Sequence, residues 1–282
     1  MEILQYSFFQ NAIIGSLLAS IVCGFIGTYI VTRRLVFISG GITHASFGGI
    51  GLGVFLGINP ILSAMVFAVL SAFGVQWMSH RGDVREDSAI ALFWTFGMSV
   101  GIICCFLTPG FMPNLPSYLF GSILTISKED LWLLGAVTLS VTLLFIFFMR
   151  PIQSIAFDST FARSQHLPVT FIEYMMMAFI AMTIVSTLRL VGVVLAISLL
   201  TIPQMSANLF TYCWKKMILL SILIGWTDCL AGLGISYWFN VPSGASIIFT
   251  GILIYTLLKG VKMAGRNVKL RNHEIYHGII NK

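Results

Sequence analysis

Residues 11–58 read NAIIGSLLASIVCGFIGTYIVTRRLVFISGGITHASFGGIGLGVFLGI. Two apolar stretches flank a single arginine pair, Arg33-Arg34, and each is long enough for the roughly 20 residues that a bilayer crossing needs. This is the pattern of a helical hairpin that enters and leaves a membrane, with its cations held at one interface.

The rest of the chain repeats the pattern. Of the 282 residues, 57% are hydrophobic and 9% charged, and the mean hydropathy is +0.94. A soluble domain of this size needs more charge to cover its surface. Nine spans are expected, near 11–32, 35–58, 60–79, 88–108, 130–149, 171–188, 191–211, 217–238 and 243–262. Eight is the alternative, because the sixth and seventh are divided only by a tight turn near Arg189. The expected fold is therefore all-α and polytopic: one transmembrane domain over residues 1–265 and a basic tail over 266–282. Arg33 is the first basic residue, so the basic start of a cleaved leader is missing, and the first apolar stretch reads as a retained span.

Lysine and arginine set the orientation. With the N-terminus outside, all 16 of them except Lys128 and Arg189 fall on the cytoplasmic side. The predicted topology is N-terminus out, C-terminus in, across the cell (inner) membrane. The net charge of +6 therefore belongs to loops and does not form a nucleic-acid surface. Cys23, Cys104, Cys105, Cys213 and Cys229 lie in apolar stretches without a CxxC, as small apolar fillers do.

The second span carries Ser39-Gly40-Gly41, and a glycine pair predicts a broken helix there. His44 stands ten residues past Arg34, about 15 Å along a helix and so near mid-membrane. Broken helices at that depth are where transporters place ion sites. Ala45, Gly49, Gly53 and Gly57 form a small-xxx-small ladder for close helix packing, and Gly48 and Gly51 leave room beside the imidazole. In the seventh span Ser198, Thr201, Met205 and Asn208 share one helical face, a candidate path lining, with Pro203 expected to kink it. Asp228, midway along the eighth span, is the other mid-membrane ionisable group. An imidazole and a carboxylate suit a first-row divalent ion.

The sequence argues against an enzyme. His273-Glu274-Ile275-Tyr276-His277 matches H-E-x-x-H, but nothing near it supplies a third zinc ligand or a cleft. There is no P-loop motif and no nucleophile–base arrangement with a dry site. A stand-alone secondary transporter would need a relay of membrane carboxylates, for which one aspartate is thin.

Several segments, in order, are similar to one family. They are Val31-Thr-Arg-Arg-Leu-Val-Phe, Ile42-Thr-His-Ala, Arg85-Glu-Asp-Ser-Ala-Ile, Leu119-Phe-Gly-Ser-Ile-Leu, Lys128-Glu-Asp-Leu, Asp158 to Leu167 with Pro168-Val, Leu188-Arg-Leu-Val-Gly-Val-Val-Leu, Leu200-Thr-Ile-Pro, and Ser236 to Ile247. Over roughly residues 10–262 the chain resembles the permeases of ABC-type zinc, manganese and iron importers.

The resemblance implies a dimer of permeases, homo- or heteromeric, a pair of cytoplasmic ATPases that hydrolyse ATP, and an extracytoplasmic metal-binding protein. The metal would be cargo and no cofactor would be held permanently. His44 matches the family's histidine and is the implied transient ligand. The family's aspartate one helical turn earlier falls on Gly40, so that carboxylate is absent, and Asp228 is the candidate replacement. A metal chelate is the alternative cargo. Asp158, Arg163, Gln165 and His166 lie in the segment that the resemblance assigns to coupling with the ATPase, and His166 replaces a family glycine.

Overall fold

A computed structural model describes residues 7–81, 84–108 and 126–280, with side chains described except at 7, 189–191 and 265–280. Ten helices follow in order: α1 Ser7–Arg33, α2 Val36–Leu56, α3 Pro60–Arg81, α4 Glu86–Leu107, α5 Lys128–Phe157, α6 Ser159–Ser164, α7 Val169–Leu199, α8 Ile202–Asn208, α9 Trp214–Phe239 and α10 Ser243–Ile280. No strand occurs among the described residues.

Seven of the described helices are long and apolar enough to cross a membrane. Two of the nine expected spans fall short of that standard. The expected second span is α2, diluted by its glycines and hydroxyl residues, and the expected seventh is the shorter apolar stretch Gly192–Asn208. What marks α2 is enclosure: it packs against α3, α4 and α7. α7 is the central element and also touches α1, α3, α5 and α10; α1 packs on α5 and α9, and α9 on α10. The most apolar stretches of α1 and α7 are 67% and 61% buried against 28% for α4 and α10, so the first pair is interior and the second faces outward. Phe106, Trp132, Phe147 and Leu257 project from this outer surface, as lipid-facing side chains do.

The expected break in the second span does not occur. α2 runs unbroken through Gly40 and Gly41. In an apolar surrounding every lost backbone hydrogen bond is costly, so a glycine pair stays helical unless something replaces those bonds. The glycines serve close approach instead. A β-carbon on Gly41 would fall 2.3 Å from Ile90 Cγ2, on Gly48 2.7 Å from the Gly97 carbonyl oxygen, and on Gly49 2.5 Å from Ala64 Cα. The room expected beside the imidazole is thus taken up, at Gly48 and Gly51, by the α4 backbone. The hydroxyls of Ser39, Thr43 and Ser46 bond back to carbonyls one turn earlier, which lets polar side chains sit inside the bundle.

The real irregularities lie elsewhere. Arg34 adopts φ 62 in the turn between α1 and α2. Gly192 has φ 74 and ψ 172, a region only glycine enters readily, and it interrupts α7 where the sequence predicted a tight turn. The chain then leaves helical geometry at Thr201 (φ −129, ψ −52) before Pro203 opens α8. α5 carries a capping box between Ser127 and Asp130 and bends at Phe148, just before Pro151.

Candidate functional site

His44 is half-buried on α2 and its ring lies flat on Trp94 of α4, with centroids 4.5 Å apart and planes 3° from parallel. The stack covers one face of the imidazole and leaves the edge of the ring, where both nitrogens lie, clear of Trp94. It rests on the glycine seam: Gly97, one turn from Trp94, approaches Ala45 so closely that a β-carbon would come 2.6 Å from its Cα. Gly40 shares the His44 face, one turn earlier. A β-carbon there meets only Ile197 Cδ1, at 3.7 Å, so the position accepts a β-carbon without a clash.

A cavity of about 350 Å³ opens between α2, α3 and α7, lined by Ser46, Ile50, Asn59, Pro60, Ala64, Val185 and Leu188 among others. Ser46 is about 200° round the helix from His44 at ~100° per residue, so His44 faces α4 and not this cavity.

Asp228 occupies a different neighbourhood. It is 2% exposed, and its Oδ1 has no hydrogen-bond partner. Its Oδ2 lies 3.2 Å from the β-carbon position of Gly251 on α10. One turn before it, Gly225 faces Pro203 and Ser20. His44 and Asp228 therefore sit on helices that share none of the main packed interfaces. Among the described residues, no three His, Cys, Asp or Glu side chains gather to hold a metal ion.

The polar stripe Ser198, Thr201, Met205 and Asn208 does not run along one helix. The break at Thr201 places Ser198 at the end of α7 and Met205 and Asn208 on α8. Thr201 is buried and its hydroxyl donates to the Ile197 carbonyl at 2.9 Å, whereas Met205 and Asn208 are exposed. Gln204, which the spacing did not single out, is fully buried and donates from Nε2 to the Leu199 and Cys23 carbonyls, satisfying the backbone at the break.

The segment Asp158 to Leu167 forms a short projecting helix. Asp158 caps α6, its Oδ1 accepting from the Thr160 and Phe161 amides at 2.9 Å each. Arg163, Gln165 and His166 are exposed beside Phe161, while Ala162 is buried. His166 has φ 56, the left-handed conformation that a glycine adopts freely, which accounts for the glycine at the matching family position.

One group escaped the sequence reading. Glu173 on α7 is 3% exposed and bonds Arg33 of α1 at 2.9 Å, with His80 and Gln76 of α3 at 2.8 and 3.3 Å. Its signal in the sequence is a lone carboxylate near the start of an apolar span. The segment Leu119–Leu124 and the side chains of Arg189, His273, Glu274 and His277 lie outside the described residues.

This all-helical bundle, with a histidine-bearing helix sealed by glycines and a short capped helix projecting from it, has the build of a membrane transport subunit. The chain belongs to the ABC 3 transport family, whose model matches residues 5–261. It is 39% identical over 257 residues to an uncharacterized membrane protein, slr2045, of Synechocystis, covering 91% of this chain and 92% of that one. It is 31% identical over 256 residues to the manganese transport system membrane protein MntC of Halalkalibacterium halodurans, covering 91% and 88%. Among solved structures, PsaBC from Streptococcus pneumoniae in complex with Fab superposes with a TM-score of 0.80 at 30% identity, over 90% of this chain and 92% of that one.

Proposed function

We propose that this chain is the permease subunit of an ATP-driven importer that moves a divalent transition metal, manganese before zinc or iron, into the cytoplasm. The observation that carries the reading is the near full-length similarity to subunits named for manganese transport. Its partners would be cytoplasmic ATPases seated on α6, an extracytoplasmic metal-binding protein, and a second permease copy. The N-terminus would lie outside and the C-terminus in the cytoplasm, as the placement of lysine and arginine argues.

His44 is the transient ligand in this reading. One imidazole with no carboxylate beside it binds weakly, and a transit site must release what it captures. Manganese suits carboxylate, carbonyl and water donors, so the second copy and retained waters would complete the coordination. Ser198, Thr201, Met205 and Asn208 flank the broken segment as candidate path lining, and Asp228 is a second candidate metal group away from His44.

The test is radioactive manganese uptake into vesicles carrying the chain with its ATPase and binding protein. His44→Ala is expected to lower uptake about tenfold or more, and Gly40→Asp to be tolerated and to tighten the apparent affinity for manganese. Normal uptake by His44→Ala would remove the ligand role.

A further inference from the structure

We propose that Glu173 is a transmission hub, which ties both flanks of α6 to α1 and α3 and so carries a push on α6 to the helix that bears His44. The proposal rests on the reading of α6 as the ATPase-docking segment.

Arg33, in the last turn of α1, makes two bonds. Its Nη1 donates to the Ile155 carbonyl of α5 at 3.2 Å, and its Nη2 lies 2.9 Å from Glu173 Oε1 of α7. Ile155 is three residues before the cap of α6, and Glu173 is five residues after Pro168, the N-cap of α7. One guanidinium therefore clamps the chain on both sides of α6. The second oxygen of Glu173 faces α3, 2.8 Å from His80 Nε2 and accepting from Gln76 Nε2 at 3.3 Å. Glu86 of α4 and Tyr29 of α1 lie within electrostatic reach of Arg33 and Glu173.

α6 itself is anchored on the bundle. It packs on α5 and α7, and Ala162 is buried in the core. A displacement of α6 is thus delivered to Ile155 and Glu173, then through Arg33 and His80 to α1 and α3. α3 packs on α2. A buried ion pair contributes little net stability against an apolar replacement, but it fixes which groups must move together. Coupling between distant sites travels through such contiguous packed and bonded elements.

The experiment uses the complete complex with its ATPase and binding protein in proteoliposomes, measuring manganese uptake and ATP hydrolysis on the same vesicles. For Glu173→Gln, hydrolysis is expected to stay within about twofold of the unmodified complex, while manganese moved per ATP falls about tenfold, within the ~5–150-fold range of site–site couplings. His80→Leu and Gln76→Leu, at the edge of the cluster, keep the test alive if Glu173→Gln does not assemble, and should lower the same ratio in smaller steps. An unchanged ratio, with any loss of uptake matched by loss of folded complex, would make the cluster a static clamp and overturn the proposal. An unmodified complex without ATP-dependent uptake would instead overturn the importer reading beneath it.

Discussion

Replacing Gly51 by alanine adds one methyl group where the backbones of α2 and α4 come closest. A β-carbon there lies 2.4 Å from the carbonyl oxygen of Gly101, 2.7 Å from its Cα and 2.9 Å from its carbonyl carbon. All three are backbone atoms, so no rotamer change relieves the clash. Restoring ordinary contact near 3.4 Å requires the helices to part by about 1 Å, which forfeits a quarter to a half of the dispersion energy of each atom pair along the seam. The seam is reciprocal, since a β-carbon on Gly101 would meet the Phe47 carbonyl oxygen at 2.6 Å and one on Gly97 the Ala45 carbonyl oxygen at 2.6 Å. Overpacking of this kind costs ~1–3 kcal/mol, and backbone on both sides puts this case near the upper figure. At roughly 2–4 °C per kcal/mol, Tm should fall by about 6–12 °C. The assay is thermal unfolding of the detergent-solubilised protein, followed by the fraction still monodisperse after heating. Gly40→Ala on the same helix is the control. Its β-carbon meets only Ile197 Cδ1 at 3.7 Å, and alanine is the better helix former, so Tm should hold or rise slightly. If Gly51→Ala is as stable as the unmodified protein, or Gly40→Ala falls as far, the seam does not hold α2 in the way described. Because the same seam seats His44 on Trp94, Gly51→Ala should also lower uptake by more than its loss of folded protein.

Asp228→Asn replaces a buried carboxyl group whose Oδ1 has no partner, so Tm should hold or rise while manganese uptake falls several-fold, as expected of a group kept for function at the expense of stability. A clear drop in Tm would mean that the carboxylate is structurally paired. Orientation can be read from the native cysteines, because Cys213 is exposed and the other four are buried. A membrane-impermeant maleimide should label Cys213 in inside-out vesicles and leave right-side-out vesicles unlabelled; the reverse pattern would invert the topology.

Much of the architecture was legible before any coordinates. Span positions follow from the free energy of moving side chains into hydrocarbon, which each segment carries by itself, and the turn was visible because Arg189 interrupts an otherwise continuous apolar run. The segment at Asp158 was marked only by the family resemblance, and its capped helix came from the structure. The glycine pair at 40–41 was misjudged because a glycine's freedom shows in sequence while its packing partner does not. Whether it bends a helix or seals a seam depends on what lies opposite, here Ile90, Gly97 and Gly101. The stripe from Ser198 to Asn208 was drawn on a continuous helix, which the break at Thr201 removes.

By itself the sequence determined an all-helical membrane protein and the segments that mark its family, because hydropathy, helix periodicity and turn chemistry act over a few residues. Tertiary structure alone decided that Trp94 covers one face of His44, that Asp228 stands apart from it, and that Glu173 gathers Arg33, Gln76 and His80 from helices up to 140 positions away. Ring stacking, burial and ion pairing act over a few ångströms in space, so they exist only once the fold has chosen which helices become neighbours.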